Sequence, residues 1–128
     1  MYWKAEMSHI LVIEDDEFFR EALQQMLQKE GHKVTTSHDG AQALTLLERL
    51  RPDLIMTDIL MPHMDGMEFI MELSRQTNNT PLIAMSGGRR SITSAFNLES
   101  ARLLGVKVTL TKPFTHTALR AALQEALV

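Results

Sequence analysis

Four stretches of the chain place reactive side chains at the ends of apolar runs. Residues 9–13 are apolar and lead into Glu14, Asp15, Asp16 and Glu17. Residues 53–58 form a strand-like run that ends on Asp58, ahead of a stretch punctuated by Pro62 and Gly66. Residues 81–86 end on Ser86, and residues 106–111 are followed by Lys112. A carboxylate at the mouth of a buried strand, as at Asp58, is a costly place for a charge unless something there uses it. Carboxylates gathered in one pocket repel, and cannot all stay ionised without a cation. An all-oxygen donor set with few carboxylates suits Mg²⁺, which keeps several waters and shares its shell with phosphate oxygens. Imidazole and thiolate groups are absent from these positions, which argues against zinc. A carboxylate can also be a nucleophile and form an aspartyl phosphate. Phosphoryl transfer then needs positioning and neutralisation of charge on the phosphoryl oxygens. Lys112 offers a fixed positive charge and Ser86 a hydroxyl donor, each at the end of a different run.

The elements between these runs must bring them together. Phe19, Ala22, Leu23, Met26 and Leu27 fall at helical spacing, with Asp16 as cap and Gly31 as stop. Residues 32–38 are β-branched and more polar, which suits an edge strand. Asp39 and Gly40 are expected to form a turn. Ala43, Leu46, Leu47 and Leu50 make a second helical stripe, closed by Arg51 and Pro52. Met67, Ile70 and Met71 start a third. Residues 87–91 (Gly87, Gly88, Arg89, Arg90, Ser91) form a basic loop, and Ala95, Leu98 and Ala101 give the next helix a weak face before Gly105. Leu119, Ala122, Leu123, Ala126 and Leu127 make a strong last helix, opened by Thr115. Five strands alternating with five helices imply right-handed crossovers and a parallel sheet covered on both faces. In such sheets ligands bind beyond the C-terminal strand ends, at the topological switch point. The fold therefore gathers the acidic cluster, Asp58, Ser86 and Lys112 on one edge.

Composition narrows the function classes. The 128 residues suit one domain with its own core, and 45% hydrophobic with 23% charged residues reads as globular. The net charge of −3 offers no electrostatic footprint for nucleic acid or an anionic membrane. Absence of cysteine excludes disulfides and thiolate metal sites and favours a reducing compartment. No apolar run reaches the roughly 18 residues of a spanning helix, and the N-terminus carries no signal-peptide core. A cytoplasmic protein without membrane insertion is the expectation. Residues 1–8 read as a tail, with Met7 a possible alternative start.

At this point the motifs carry a resemblance. Leu11, Val12, Ile13, Glu14 and Asp15 form the first. Asp58 followed by Met61, Pro62, Met64, Asp65 and Gly66 forms the second, and Thr111, Lys112, Pro113 and Phe114 the third. Together, in order and at matching intervals, they resemble the receiver domain of two-component response regulators, over about residues 9–127. The chain is similar in size to the chemotaxis response regulator. The resemblance implies a doubly wound, five-stranded parallel sheet of flavodoxin-like order 2-1-3-4-5 with helices on both faces, in a receiver domain at 9–128. It implies that Asp58 is the phosphoacceptor, served by Lys112 and Ser86. It assigns Mg²⁺ to Glu14, Asp15, Asp58 and the main-chain carbonyl of Leu60, with Asp15 as direct ligand and Glu14 acting through water. Asp16 is the alternative ligand. It is set aside because Arg20 then falls where the family often has a basic residue. The Lys112–Pro113 bond is often cis in the family.

The resemblance also implies a partner histidine kinase or phosphotransfer protein as donor. Output is then through a downstream protein rather than direct contact with nucleic acid. Such a chain is no turnover enzyme, although it promotes its own phosphorylation and dephosphorylation. Two alternatives stand beside this reading. One is a small Mg²⁺-dependent phosphatase with an aspartyl-phosphate intermediate, although those often carry Asp-x-Asp after the first strand. The other is a receiver cut from a longer regulator. One position departs from the family: Thr109 stands where an aromatic switch residue is usual. The segment from Ser86 to Lys112 is also a few residues longer than in the chemotaxis protein. His9, His32, His38, His63 and His116 have no metal-ligand spacing and read as surface or turn residues. Met61, Met64, Met67 and Met71 read as core filler.

Overall fold

A computed structural model describes residues 8–59, 66–76, 79–87, 102 and 105–127. The elements are β1 (His9–Ile13), α1 (Glu17–Lys29), β2 (Lys33–Ser37), α2 (Gly40–Leu46), β3 (Leu54–Asp58), α3 (Gly66–Arg75), β4 (Leu82–Gly87), β5 (Val108–Lys112) and α4 (His116–Leu127). All five strands are parallel, in the order β2-β1-β3-β4-β5. This is the flavodoxin-like order, with the more polar β2 at one edge as its composition requires. The helix expected around Ala95, Leu98 and Ala101, and the arginines at 89 and 90, lie outside the described residues.

The apolar runs are continuous because β1, β3 and β4 are covered on both faces, and alternate residues feed different cores. Ile10, Val12, Leu54, Met56, Ile83 and Met85 point to one face. There they meet Leu23 and Leu27 of α1 and Leu119, Ala122, Leu123 and Ala126 of α4. Leu11, Ile13, Ile55 and Ala84 point to the other face, against Ala43 of α2 and Phe69, Ile70 and Leu73 of α3. The two faces thus take the four described helices in pairs.

The helix starts are set by caps. Asp16 Oδ1 accepts from Phe19 N–H at 3.1 Å, and Thr115 Oγ1 accepts from Ala118 N–H at 3.0 Å. Each satisfies a first-turn amide that the helix itself leaves without a partner. Gly31 ends α1 with φ of 93°, a left-handed conformation that glycine adopts without the Cβ clash. Just before it, the C-cap Glu30 ties the end of α1 to α4: its carboxylate accepts from His116 Nε2 at 2.8 Å and lies 3.4 Å from Arg120 Nε.

Four local expectations need correction. Asp39 and Gly40 are a helix start, because Asp39 Oδ1 accepts from Gln42 N–H at 2.8 Å. The same Gln42 reaches back through Oε1 to accept from His38 N–H and Ser37 Oγ, which completes the cap. Helix α2 ends at Leu46, about a turn short of Arg51 and Pro52, because Glu48 and Arg49 N–H bond three residues back to Thr45 and Leu46. Met71 is 52% exposed; the buried stripe of α3 is Phe69, Ile70 and Leu73, so the apolar face is rotated from the one expected. His32 is buried rather than a surface residue. It follows Gly31 in the tight return to β2, where its N–H donates to Leu27 O at 3.1 Å.

The rotated stripe has an energetic consequence. Phe69→Ala removes a fully buried ring and is expected to destabilise the fold by about 3–5 kcal/mol. Met71→Ala, one turn face away, is expected to stay within about 0.5 kcal/mol of the parent. Urea denaturation of the two variants measures the difference.

Candidate functional site

The parallel register brings the strand ends level. Ile13 pairs with Thr57, Asp58 with Met85, Ser86 with Thr111 and Gly87 with Lys112. The backbone remains sheet-bound just past each carboxylate-bearing end. Glu14 N–H donates to Ser37 O at 3.0 Å, and Ile59 N–H donates to Met85 O at 3.0 Å. Glu14 and Asp58 therefore sit on rigid backbone, as a site of fixed geometry requires.

The side chains converge on Lys112. Its Nζ donates to Asp58 Oδ2 at 2.6 Å and to Glu14 Oε1 at 2.8 Å. Glu14 and Ser86 are fully buried and Asp58 nearly so. Glu14 Oε2 also accepts from Asp16 N–H at 3.1 Å, and the Glu14 carbonyl accepts from Arg20 Nη1 at 2.9 Å. Asp16 is thus a helix cap through its carboxylate and a support for Glu14 through its amide. Asp15 is exposed, and one oxygen each of Glu14, Asp15 and Asp58 lie within 4.8 Å of one another. Those three oxygens could hold a metal ion. Ser86 Oγ is buried with no hydrogen-bond partner among the described residues. An unsatisfied buried hydroxyl carries a desolvation cost, and a site with a polar ligand to come is one place where that is tolerated.

The electrostatics follow from this crowding. Burial, with the Asp58 charge adding to it, pushes the Glu14 carboxyl up to about 7, although Lys112 and the Asp16 amide pull the other way. Burial alone would lower the Lys112 ammonium. Its hydrogen bonds to Asp58 and Glu14 outweigh that and hold it above the ordinary lysine value. One ammonium thus stands between two buried carboxylates, with a third carboxylate at the rim. That set is short of positive charge, and its donors are all oxygen, the chemistry that suits a hard divalent cation.

Of the six positions singled out in the sequence, the structure brings together Glu14, Asp15, Asp58 and Lys112 and places Ser86 at the end of the neighbouring β4. Leu60 lies outside the described residues, as do Met61, Pro62, Met64 and Asp65. The Lys112–Pro113 bond is cis. At the position of the missing aromatic, Thr109 Oγ1 accepts from Arg102 Nη2 at 3.2 Å. Sequence reasoning did not reach the aromatic wall of the site. Lys112 Nζ lies 4.5 Å from the centroid of the Phe19 ring, and Phe114 meets Phe19 edge-on, with centroids 5.6 Å apart and an interplanar angle of 89°. Phe19 was legible only as a member of a helical stripe. Its position three residues past the capping Asp16 was the one clue that it faces the strand ends.

Comparison with known proteins gives a consistent result. The family model for the response regulator receiver domain matches residues 10–124. Transcriptional regulatory protein CseB of Streptomyces avermitilis is 33% identical over 123 residues, which are 96% of this chain and 50% of CseB. Transcriptional regulatory protein CpxR of Klebsiella pneumoniae is 36% identical over 121 residues, 94% of this chain and 50% of CpxR. The chain thus spans about half the length of the curated relatives it matches. Among solved structures, the Vibrio cholerae chemotaxis protein CheY4 is 29% identical with a TM-score of 0.84, over 94% of this chain and 99% of that one.

The raised Glu14 value predicts how stability depends on pH. Its folded value of about 7 lies above the ordinary 4.5, so the folded state holds a proton that the unfolded state gives up. That contribution is fully present below the unfolded value and is lost as pH rises through about 7. In metal-free buffer the melting temperature is expected to fall between pH 5 and pH 8, and Glu14→Gln is expected to flatten the fall. Thermal unfolding across that range measures both.

Proposed function

The chain belongs to the response regulator receiver domain family, and on that premise we propose that it accepts a phosphoryl group on Asp58 from a histidine kinase or phosphotransfer protein. The supporting observation is the Lys112 ammonium within hydrogen-bond reach of both Asp58 and Glu14, at the end of a different strand from either. A carboxylate oxygen of Asp58 attacks phosphorus. The new O–P bond forms as the bond from phosphorus to the donor's imidazole nitrogen breaks, and the electron pair leaves on that nitrogen. Negative charge on the phosphoryl oxygens is met by Lys112, and the buried hydroxyl of Ser86 donates a hydrogen bond to one of them.

A Mg²⁺ ion held by Glu14, Asp15, Asp58 and the Leu60 carbonyl would supply the positive charge that the donor set lacks. Burial of Glu14 and Asp58 keeps water from screening these charges, so each counts for more than at a surface. The added phosphoryl charge draws Ser86 and Lys112 toward Asp58 and biases a two-state equilibrium of the surrounding surface. That surface then binds a downstream protein. Residues 9–128 act as the receiver unit in this reading, with 1–8 as a tail, in the cytoplasm. CseB and CpxR are named as transcriptional regulatory proteins, about twice this chain's length. Output here is proposed to run through protein contact made by the receiver itself.

Intact-mass measurement after exposure to acetyl phosphate and Mg²⁺ tests the reading. A single phosphoryl adduct is expected, absent in Asp58→Asn and strongly slowed by chelation of the metal. Lys112→Ala is expected to slow adduct formation by about a hundredfold, the size of losing one fixed donor to a developing charge. An adduct undiminished in Asp58→Asn, or none on the parent chain, would sink the proposal. Sustained turnover of a generic phosphomonoester would favour the phosphatase alternative.

A further inference from the structure

We infer that Phe19 is a positioning residue for Lys112: its ring face holds the ammonium in the place from which it serves Asp58. The inference rests on the phosphoacceptor reading above. The cap at Asp16 fixes the first turn of α1, and with it Phe19, whose N–H is bonded to the Asp16 side chain. The ring then lies against the end of β5, with Lys112 Nζ 4.5 Å from its centroid. A cation within about 6 Å of a ring face is attracted by the ring's negative potential. Phe114 meets the same ring edge-on, the favourable arrangement for two aromatics, and keeps it from turning away.

Lys112 Nζ therefore has two kinds of partner: the oxygens of Glu14 and Asp58, and the Phe19 face. The two kinds of partner behave differently during transfer. In the reaction with acetyl phosphate, a bond forms between an Asp58 oxygen and phosphorus as the bond from phosphorus to acetate oxygen breaks. The electron pair leaves on acetate, and all three Lys112 protons stay on Nζ. The Asp58 carboxylate changes its charge in that step. The Phe19 ring does not. Lysine is a compact charge on a flexible four-carbon stem, so a partner that stays constant through the step is what keeps it in register. Leucine or isoleucine would serve the helical stripe equally well; the aromatic ring adds the grip on the cation.

The test uses the whole chain with Phe19→Leu, which keeps an apolar residue and removes the ring face, and Phe19→Tyr, which restores it. Adduct formation from acetyl phosphate with Mg²⁺ is followed by intact mass. Phe19→Leu is expected to slow the rate at saturating acetyl phosphate by about threefold to tenfold, with little change in half-saturation, and Phe19→Tyr to recover it. A separate readout needs no variant to react. In the parent chain the Lys112 ε-protons are expected to show an upfield ring-current shift by NMR, retained in Phe19→Tyr and lost in Phe19→Leu. Parent-like rates in Phe19→Leu would overturn the inference, as would unshifted ε-protons in the parent. If the parent itself takes no phosphoryl group, the phosphoacceptor reading fails, and the inference built on it is overturned with it, whatever the ε-protons show.

Discussion

The site depends on one ammonium shared between two buried carboxylates. Without Lys112, Glu14 and Asp58 would face each other across a low-dielectric pocket, and one of them would have to take a proton. With it, the pair is held by charge-assisted hydrogen bonds of 2.8 and 2.6 Å. Compensation is still incomplete: burial, with the Asp58 charge adding to it, keeps the Glu14 carboxyl above the ordinary carboxylate range despite Lys112. The same shortfall, in an all-oxygen donor set, is the chemistry that suits a divalent cation.

Much of this was legible in the sequence because the parallel sheet turns sequence order into spatial order. Once residues 9–13, 53–58, 81–86 and 106–111 read as buried strands, their C-terminal ends had to share an edge. Glu14, Asp58, Ser86 and Lys112 followed from that placement. Asp16 declared itself a cap because a carboxylate three residues ahead of a helical amide has one local task. Other features depended on packing that no local pattern encodes. The stripe on α3 was misjudged at Met71 because Phe69 and Leu73 offered an equally good helical face, and the tertiary contact chose between them. Asp39 and Gly40 looked like a turn because both residues favour one; only Gln42 reaching back reveals the helix start.

The aromatic contacts illustrate the same limit at the site itself. Phe19 satisfies a hydrophobic periodicity, and nothing in that pattern tells a ring that fills the core from one that faces a cation. Thr109 poses the opposite case. The sequence exposed it as a departure, since its place is usually aromatic in the family, and its hydrogen bond to Arg102 became visible only in three dimensions. Thr109 therefore brings a hydroxyl bonded to an arginine to a place where the family usually has a ring.

The bond between Glu14 and Lys112 joins residues 98 positions apart. A contact of that span carries a higher loop-closure cost than a local one. It is made where β1, β3, β4 and β5 lie side by side in register, with β5 at the far edge. The charge balance of the pocket therefore depends on the whole sheet. A chain whose edge strand is missing or out of register keeps two buried carboxylates with no countercharge, which loosens the very strand ends that carry them. The countercharge of the pocket and the completeness of the sheet are one structural requirement.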